Sequence, residues 1–407
     1  MRSFRVFLLS FLLLTNLNIL ATKAEEKTPY ISYVPGEGIA VEALDATISP
    51  ETTLVFQGVT DPNRENARAS GGISWVGYLG IEKKFAEYGK VTLQFKSGWG
   101  ETVEKEVNLL NGINFNSYDV GGNVRLRQYF YEQYLLDKQV TLLIGRRNPR
   151  NVLDEVRYAN NDDIQFLADI FNKSPGIDWP SDYTFTIHAR VAPKAIDFFE
   201  FEFNFFEANA DWKKIFKGGF YTWQLNFKPA GLLKLDKDKW EGNYRFYTWL
   251  NTRPHEKLGR ELDPPSTDTK NVSYGFGLGI DQALGSVFGI FSRLGWQRPD
   301  VLPARGGASI EFNWSVGAQA KGKYWKREND ILAIAVGQVC PSKEYKEAGN
   351  LAHPEGHFES YYNYAITKYM EIGPSVQLIW NPDGVAKKSQ GQINPVFIYG
   401  ARIHILF

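Results

Sequence analysis

Residues of alternating polarity recur along almost the whole chain, and this period of two constrains the fold more than any other feature. In the segment 199–206, four phenylalanines occupy one parity, while Glu200, Glu202 and Asn204 occupy the other. A period of two predicts strands that have one apolar and one polar face. We assign sixteen such strands, at 51–58, 73–83, 88–97, 124–136, 139–147, 183–192, 197–206, 217–228, 241–252, 272–282, 286–298, 308–320, 330–340, 357–367, 370–381 and 396–407.

The lengths of these strands and of their connections favour a membrane barrel over a soluble β-sandwich. Most strands approach the roughly 9–11 residues that a tilted strand needs to cross a hydrocarbon core, whereas strands of soluble proteins are nearer about 5–6. Connections after even-numbered strands are mostly short: 84–87, 137–138, 193–196, 283–285 and 368–369. Connections after odd-numbered strands are mostly long: 59–72, 98–123, 148–182, 253–271 and 341–356. The even connections 229–240 and 321–329 are exceptions, but the alternation is typical of antiparallel transmembrane barrels with short periplasmic turns and long extracellular loops.

The amino terminus has the features of a signal peptide. Arg2 and Arg5 precede the apolar run 6–14, which is too short to cross a bilayer as a helix, and small residues at 21–24 suit a cleavage site. We therefore predict a cleaved signal peptide at 1–24, a short N-terminal segment at 25–50 and a barrel domain at 51–407. The predicted location is the bacterial outer membrane.

Charge and cysteine content exclude several classes of protein. The chain has 46 basic and 46 acidic residues, a balance that argues against nucleic acid as a partner. Cys340 is the only cysteine, so neither an intramolecular disulfide nor a thiolate metal site is expected. His353 and His357 lie in a predicted loop without an evident third ligand, so we expect no metal and no cofactor.

The closing segment NPVFIYGARIHILF, at 394–407, alternates in polarity and ends on the aromatic Phe407. A barrel must pair its last strand with its first, because an unpaired edge in lipid leaves backbone groups unsatisfied. Outer-membrane barrels use a terminal aromatic strand of this kind as an assembly signal. We therefore expect the barrel-assembly machinery as a partner through Phe407, beside the lipids of the outer membrane.

Five stretches resemble the carbohydrate-selective porin (OprB) family. They are SGGISWVGYLGIEKKF (70–85), NNDDIQFLADIFNKSPGIDWP (160–180), YGFGLGIDQ with LGWQRPD (274–300), KGKYWKRENDILAIAVGQVCPSKEY (321–345) and ESYYNYAITKYMEIGPSVQLIWNPDG (359–384). The resemblance implies a sixteen-stranded outer-membrane channel that passes mono- and oligosaccharides. The segment 25–50 is too short for the helical or wall-binding region that some relatives carry, so peptidoglycan anchoring is not implied.

A barrel of sixteen strands encloses a water-filled lumen, and its inward polar residues are candidates for sugar contact. Arginine donates hydrogen bonds, carboxylates accept them, and aromatic rings suit the C–H faces of sugars. The pore-lining candidates are Arg125, Arg127, Arg147, Arg190, Glu200, Glu202, Arg245, Glu311 and Glu359, with Trp99 as a stacking surface. Because an arginine at the bilayer midplane costs roughly 2–4 kcal/mol, Arg402 must also face inward.

The long connection 148–182 is expected to fold into the lumen and narrow it. Its segment NDDIQFLADIF has helical spacing. This spacing predicts that one apolar face docks on the barrel wall through Ile164, Leu167, Ala168 and Phe171.

Other functions stay open on the sequence alone. Inward charges also occur in general or weakly ion-selective porins, where they set a transverse field without a preference for sugars. An outer-membrane barrel enzyme would need a converging nucleophile and base, and His188 and His404 lack such a setting, so we predict no catalysis. A secreted, soluble glycan-binding β-protein would be released without detergent. Porins commonly form homotrimers, a state that the sequence does not decide.

Overall fold

The computed structural model describes residues 31–41, 44–60, 62, 70–180, 183–258, 271–304, 307–347, 353–384 and 395–407. The predicted signal peptide at 1–24 lies outside these residues. The strands are β1 (Ser32–Val34), β2 (Gly38–Val41), β3 (Ala46–Val59), β4 (Gly71–Phe85), β5 (Gly89–Glu101), β6 (Arg125–Leu135), β7 (Val140–Arg147), β8 (Thr184–Val191), β9 (Phe199–Glu207), β10 (Gly219–Phe227), β11 (Gly242–His255), β12 (Asn271–Leu284), β13 (Phe288–Gln297), β14 (Ile310–Gly322), β15 (Arg327–Pro341), β16 (Glu355–Thr367), β17 (Met370–Trp380) and β18 (Val396–Leu406). Short α-helices span Asp169–Asn172, Pro229–Leu232, Lys237–Trp240 and Lys343–Glu347. Across the ranges given above, no helix is long and apolar enough to cross a membrane.

Strands β3 to β18 form a closed antiparallel barrel. Each pairs with the next in chain order, and β18 pairs with β3 from Ile398 opposite Val59 to Leu406 opposite Glu51. Closure leaves no barrel edge unpaired, as the lipid environment requires. The fold class and the sixteen strands predicted from the alternation are confirmed, although the first barrel strand begins at Ala46 rather than at 51.

A small hairpin of β1 and β2 precedes the barrel. Strand β2 pairs with the beginning of β3, Ile39 opposite Ile48, along the edge that β18 occupies further on. The N–H of Phe407 donates to the carbonyl of Pro50 at 3.1 Å. The hairpin therefore extends the closing seam of the barrel just beyond the carboxy-terminal residue.

The two faces of each barrel strand differ in chemistry as the alternation predicts. On β9, Phe201 is 45% exposed on the outside, whereas Glu200 and Glu202 are buried on the lumen side. Apolar side chains face the bilayer because charged side chains there cost roughly 2–4 kcal/mol. Arg402 faces inward and is buried, which confirms its predicted orientation.

The connections differ in length between the two rims. Turns after even-numbered strands are mostly short, as at 285–287 and 368–369. The predicted exception 321–329 narrows to 323–326 because β14 and β15 are longer than expected, and the other exception, 228–241, contains two of the short helices. The long loops lie at the opposite rim, which is the extracellular one in barrels of this class.

Two extracellular loops, 102–124 and 148–183, fold back into the barrel. Phe166 of the longer loop packs on Phe291 and Tyr361 of the wall, with ring centroids 5.7 and 4.9 Å apart. Burial of a side chain of this size contributes roughly 1.5–3 kcal/mol. The prediction that the connection 148–182 enters the lumen is confirmed.

The residues that dock this loop differ in part from those predicted. Ala168 and Phe171 belong to the buried hydrophobic cluster, and Leu167 is also buried. The prediction for Ile164 is wrong, because this side chain lines the lumen. Within the segment NDDIQFLADIF only the part from Asp169 onward is helical, since the backbone before it turns its N–H groups toward the wall.

Candidate pore constriction

Glu359 on β16 holds the loop 148–183 against the wall. Its two carboxylate oxygens accept hydrogen bonds from the backbone N–H groups of Leu167 and Ala168, at 2.8 and 2.9 Å. A carboxylate that is fully buried requires such donors to offset its desolvation. Glu359 therefore lies beneath the loop and not along the open lumen, which corrects its prediction as a pore-lining residue.

Arg293 on β13 and Arg402 on β18 secure the same loop. Arg293 is fully buried, pairs with Asp154 at 3.2 Å and also donates to the backbone carbonyl of that residue. Arg402 donates to the backbone carbonyls of Asp162 and Gln165. Loss of one partner from a buried ion pair typically costs about 3–5 kcal/mol, so these contacts give the loop one defined position.

The loop 102–124 lies beside the longer loop and is held in a similar way. Glu355 on β16 accepts a hydrogen bond from the N–H of Leu110 at 2.8 Å. The N–H of Phe115 donates to the carbonyl of Leu167 at 2.8 Å, which joins the two loops. Together they form an internal layer that packs against strands β9 to β18. The cavities lie against β4 to β8 and the periplasmic parts of β9 to β11.

Two cavities meet between this layer and the opposite wall. The extracellular cavity has a volume of about 610 Å³, and the cavity below it has a volume of about 690 Å³. Residues that line both cavities mark the passage between them. These shared residues, named the constriction from here on, are Tyr78, Asn148, Arg150, Asp162 and Tyr183.

An ion pair between Arg150 and Asp162 lies at the centre of the constriction, with Nη2 and Oδ1 2.8 Å apart. The guanidinium carbon of Arg150 lies 4.1 Å from the ring centre of Phe115, and Asn116 donates to Asp162 at 3.2 Å. The Nε and Nη1 groups of Arg150 have no hydrogen-bond partner among the residues that the structure describes. Both atoms are shielded from solvent, and a buried donor without a partner costs about 1–3 kcal/mol, so these groups favour entry of a water molecule beside them.

Phenol rings and cations alternate along the wall above the constriction. The Nζ atom of Lys96 lies 4.9 Å from the ring centre of Tyr78 and 4.6 Å from that of Tyr118. The guanidinium of Arg127 lies 4.8 Å from the ring centre of Tyr118 and 4.3 Å from that of Tyr183. Cation–π contacts stabilise such a geometry by about 0.5–2 kcal/mol each. The row presents ring surface, hydroxyl groups and cationic donors together, and Arg127 lines the lumen as predicted.

A third cavity, of about 360 Å³, lies nearer the periplasmic rim. In it Arg147 pairs with Glu132 at 3.2 Å, and Arg190 pairs with Glu200. Five predicted residues line this cavity: Arg147, Arg190, Glu200, Glu202 and Arg245. Their inward orientation agrees with the prediction, whereas sugar contact at each of them stays a prediction.

Three predicted residues lie away from these cavities. The prediction for Trp99 is wrong: its cross-strand partner is Trp75, and both occupy the outward face of the wall, opposite to the lumen residue Lys96. Arg125 is exposed at the extracellular rim, and Glu311 lies where the pairing of β14 with β15 is irregular. Rim positions and bulges depart from the strict alternation that parity assumes, and neither residue lines any of the three cavities.

The sequence reasoning missed all five residues of the constriction. Tyr78 lies on the inner face of β4, so the parity of that predicted strand could have identified it. Arg150 and Asp162 belong to the interior loop, and no periodic pattern reports where a loop places its side chains. Their role depends on the contacts that bring the loop into the barrel.

Asp163 is a titratable group beside the constriction. Burial, together with the nearby carboxylates of Asp162 and Glu51, raises the pKa of Asp163 to about 6. The pKa of Asp162 lies below its usual value although burial opposes this, because Arg150 and Lys96 stabilise the charged form. The passage therefore carries one permanent acidic charge next to one that titrates near neutral pH.

The chain forms a closed barrel of sixteen strands that is apolar outside and polar within, and interior loops narrow its lumen. These features define an outer-membrane channel of the porin class. A family model described as "Carbohydrate-selective porin, OprB family" matches residues 91–407. The chain belongs to this family of carbohydrate-selective porins.

Solved structures of outer-membrane channels share this fold. The high-pH structure of Pseudomonas putida OprB has a TM-score of 0.74 and 13% identity, covering 90% of this chain and 95% of that chain. The low-pH structure of the same protein has a TM-score of 0.53 and 14% identity, covering 90% and 93%. The channel DcaP of Acinetobacter baumannii has a TM-score of 0.54 and 10% identity, covering 91% and 99%. No curated protein sequence matches this chain.

Proposed function

We propose that this porin lets neutral mono- and oligosaccharides diffuse across the outer membrane down their concentration gradient. The observation that supports the proposal is the row of phenol rings and cations that leads into the constriction. Sugar C–H faces match the rings, and sugar hydroxyls match the charged donors and acceptors. Such contacts are individually weak, as release on the far side requires.

The charges of the extracellular cavity favour uncharged solutes. Its cationic and carboxyl side chains are equal in number: Lys96, Lys105, Arg127, Arg150 and Lys173 against Glu101, Glu104, Asp119, Asp162 and Asp169. Because the pKa of Glu104 is raised to about 8, this carboxyl is protonated at neutral pH and the lining has a small positive excess. A lining so close to balance does not strongly concentrate ions of either sign. Below the constriction acids exceed cations: Glu51, Glu155, Asp162, Asp163 and Glu241 against Arg150, Arg157 and Arg245. This excess supports a weakly cation-selective general porin as the second candidate.

Substitution of the lumen arginines tests the proposed contacts. Arg127→Ala and Arg150→Ala should each weaken the block of single-channel current by a neutral sugar about tenfold, because a hydrogen bond to a charged group is worth about 1.5–3 kcal/mol. Recordings in planar bilayers measure the sugar concentration that gives half-maximal block. Arg298→Ala is the matched control, since Arg298 pairs with Asp300 outside the three cavities. If both lumen variants form open channels and the sugar blocks them as it blocks the unmodified protein, these two arginines do not contact the sugar.

Liposome swelling distinguishes the two candidate functions. Vesicles that contain the protein are diluted into sugars or into amino acids of similar size, and the rate of swelling reports entry. Faster entry of the sugars supports the proposal. Equal rates across the panel would instead identify a general porin.

We further infer that export removes residues 1–24 and that the assembly machinery recognises the terminal strand through Phe407. The closure of the barrel by β18 supports the second inference. The mass of the mature protein tests cleavage, and the yield of heat-resistant barrel after deletion of Phe407 tests recognition.

Light scattering in detergent distinguishes a homotrimer, which porins commonly form, from a monomer.

A further inference from the structure

The extracellular loop 208–218 folds outward over the barrel wall. The indole of Trp212 stacks on the ring of Tyr129, with centroids 5.7 Å apart and planes 27° from parallel. The ring of Phe216 packs on that of Phe205 with centroids 5.4 Å apart. These contacts lay the loop across the ends of β6 and β9, in contrast to the two loops that enter the lumen.

The rings beneath this loop lie on the bilayer side of the wall. On β9, Phe205 alternates with Asn204, which is fully buried and hydrogen-bonds to His188 on the lumen side. Trp212 is 37% exposed and Phe216 is 75% exposed. The loop therefore adds aromatic surface at the extracellular interface, where aromatic belts of membrane proteins lie.

Three lysines of the same loop outnumber the one exposed acid beside them, Asp211. Lys213, Lys214 and Lys217 are exposed, and none forms an ion pair within the described residues. Asp211 accepts a hydrogen bond from the N–H of Lys213, and the buried Glu207 accepts from N–H groups of the loop. Glu207 thus holds the loop backbone, and Asp211 offsets part of the charge of Lys213, so the loop keeps a net positive charge.

We propose that this surface, formed by Trp212, Phe216 and the three lysines, binds a phosphorylated acyl lipid of the outer leaflet. The lysines pair with the phosphate groups of the lipid, which supply the negative charge that the loop lacks. The acyl chains lie along the outer wall below, where the exposed Trp223 packs on the half-buried Phe203 with ring centroids 5.9 Å apart. Charge complementarity together with a continuous apolar wall selects a lipid of this chemistry as the occupant.

Native mass spectrometry of the mature protein in a non-ionic detergent, with purified lipid A added, tests the proposal. Each lysine near an anionic lipid contributes roughly fivefold to affinity. The triple variant Lys213→Gln/Lys214→Gln/Lys217→Gln should therefore bind lipid A more weakly by a factor on the order of 100. The corresponding triple substitution to arginine retains the charge and should bind as the unmodified protein does.

A second control locates the effect. Lys343→Gln/Lys346→Gln removes charge from the short helix Lys343–Glu347, in a loop at the same rim, and should leave binding unchanged. Equal affinity of the glutamine triple variant and the unmodified protein would overturn the proposal. An equal loss of affinity for lipid A in the Lys343/Lys346 variant would also overturn the proposal, since the weaker binding would then reflect only the net charge of the protein.

A second copy of the chain is the competing occupant. If the protein forms an oligomer that dissociates on Trp212→Ala, the surface belongs to a subunit interface and the lipid proposal is overturned. The loop variants leave the lumen intact, so their conductance and sugar block should match the unmodified protein. That measurement confirms a folded barrel. It also distinguishes failure of the lipid proposal from failure of the proposed sugar transport.

Discussion

Inward-facing arginines have different roles, which depend on the groups that their guanidinium groups contact. Arg293 is fully buried against Asp154 and holds a loop in place. Arg190 pairs with Glu200 while its side chain remains 34% exposed to the lower cavity. Arg150 is buried but retains two donor groups without a protein partner among the described residues. Donors of this last kind favour water beside them. Parity treats Arg293 and Arg190 alike and does not apply to Arg150, which lies in a loop.

Glu104 gives the loop 102–124 a stability that depends on pH. Burial and the neighbouring Asp169 carboxylate raise the pKa of Glu104 to about 8. The folded loop retains this proton at pH values where an unfolded chain releases it. Protonation of Glu104 therefore stabilises the folded loop fully below the usual pKa of about 4.3, and this stabilisation is lost as the pH rises through about 8. Glu104→Gln should remove this loss. Hydrogen-exchange protection factors of residues 102–124, recorded between pH 6 and 9, measure this loss of stability.

Glu101→Gln is the matched control for this pH dependence. Glu101 lines the same cavity, pairs with Lys105 and is exposed at its edge. Its substitution should leave the decline in protection as it is in the unmodified protein. Protection that is equally flat with pH in the unmodified protein and in Glu104→Gln would contradict the prediction.

At the scale of elements, the interior loop 148–183 depends on strands that are distant in sequence. In its described part, the helical content is limited to the 3-10 turn Pro149–Asn151 and the α-helical turn Asp169–Asn172. Its position depends on Glu359, Arg293 and Arg402, which are contributed by three different strands. A loop held at several points by buried polar groups keeps the constriction narrow without regular structure of its own.

Glu359→Ala should loosen this loop. The substitution leaves the N–H groups of Leu167 and Ala168 without an acceptor, and each unsatisfied donor costs about 1–3 kcal/mol, so the free energy of local opening should fall by about 2–6 kcal/mol. Single-channel conductance and current noise should rise, and the amide of Leu167 should exchange faster. Glu328→Ala, on an exposed residue of β15, is the control. Conductance and noise equal to those of the control would show that Glu359 does not hold the loop.

At the scale of the whole molecule, charge is distributed unevenly along the lumen. The extracellular cavity is close to balance, with a small positive excess at neutral pH, whereas the cavity below the constriction has an excess of acids. Field lines within a low-dielectric barrel concentrate counter-ions where one sign of charge predominates. The channel should therefore pass neutral solutes freely while showing a weak preference for cations.

This cation preference should decline as the pH falls from 7 to 5. Asp163 gains a proton as the pH falls through its pKa of about 6, which removes one negative charge beside the constriction. Reversal potentials in a potassium chloride gradient measure the permeability ratio, which should approach unity at the lower pH. Asp163→Asn should abolish this change. A ratio that is constant with pH, or a change that persists in Asp163→Asn, would assign the selectivity to other groups.

The sequence by itself determined the barrel and much of its polarity. Side-chain direction in a strand depends only on parity, so local alternation was sufficient to predict sixteen strands, their membrane environment and the inward orientation of Arg147, Arg190 and Arg245. The resemblance to sugar porins lay in the same strands and loops, and the family match over residues 91–407 confirms it.

Only the tertiary structure decided which residues form the constriction and which side of the wall the loops occupy. Arg150 and Asp162 reach the lumen because Glu359 binds the backbone of Leu167, a residue 192 positions away in the chain. Trp99 faces lipid because pairing with β4 continues β5 to Glu101, past its predicted end at 97, and within the strand Trp99 has the parity opposite to Lys96. Such placements depend on contacts between segments that are distant in the chain. The favourable free energy of these contacts is gained only when the barrel closes, so no local pattern in the sequence predicts them.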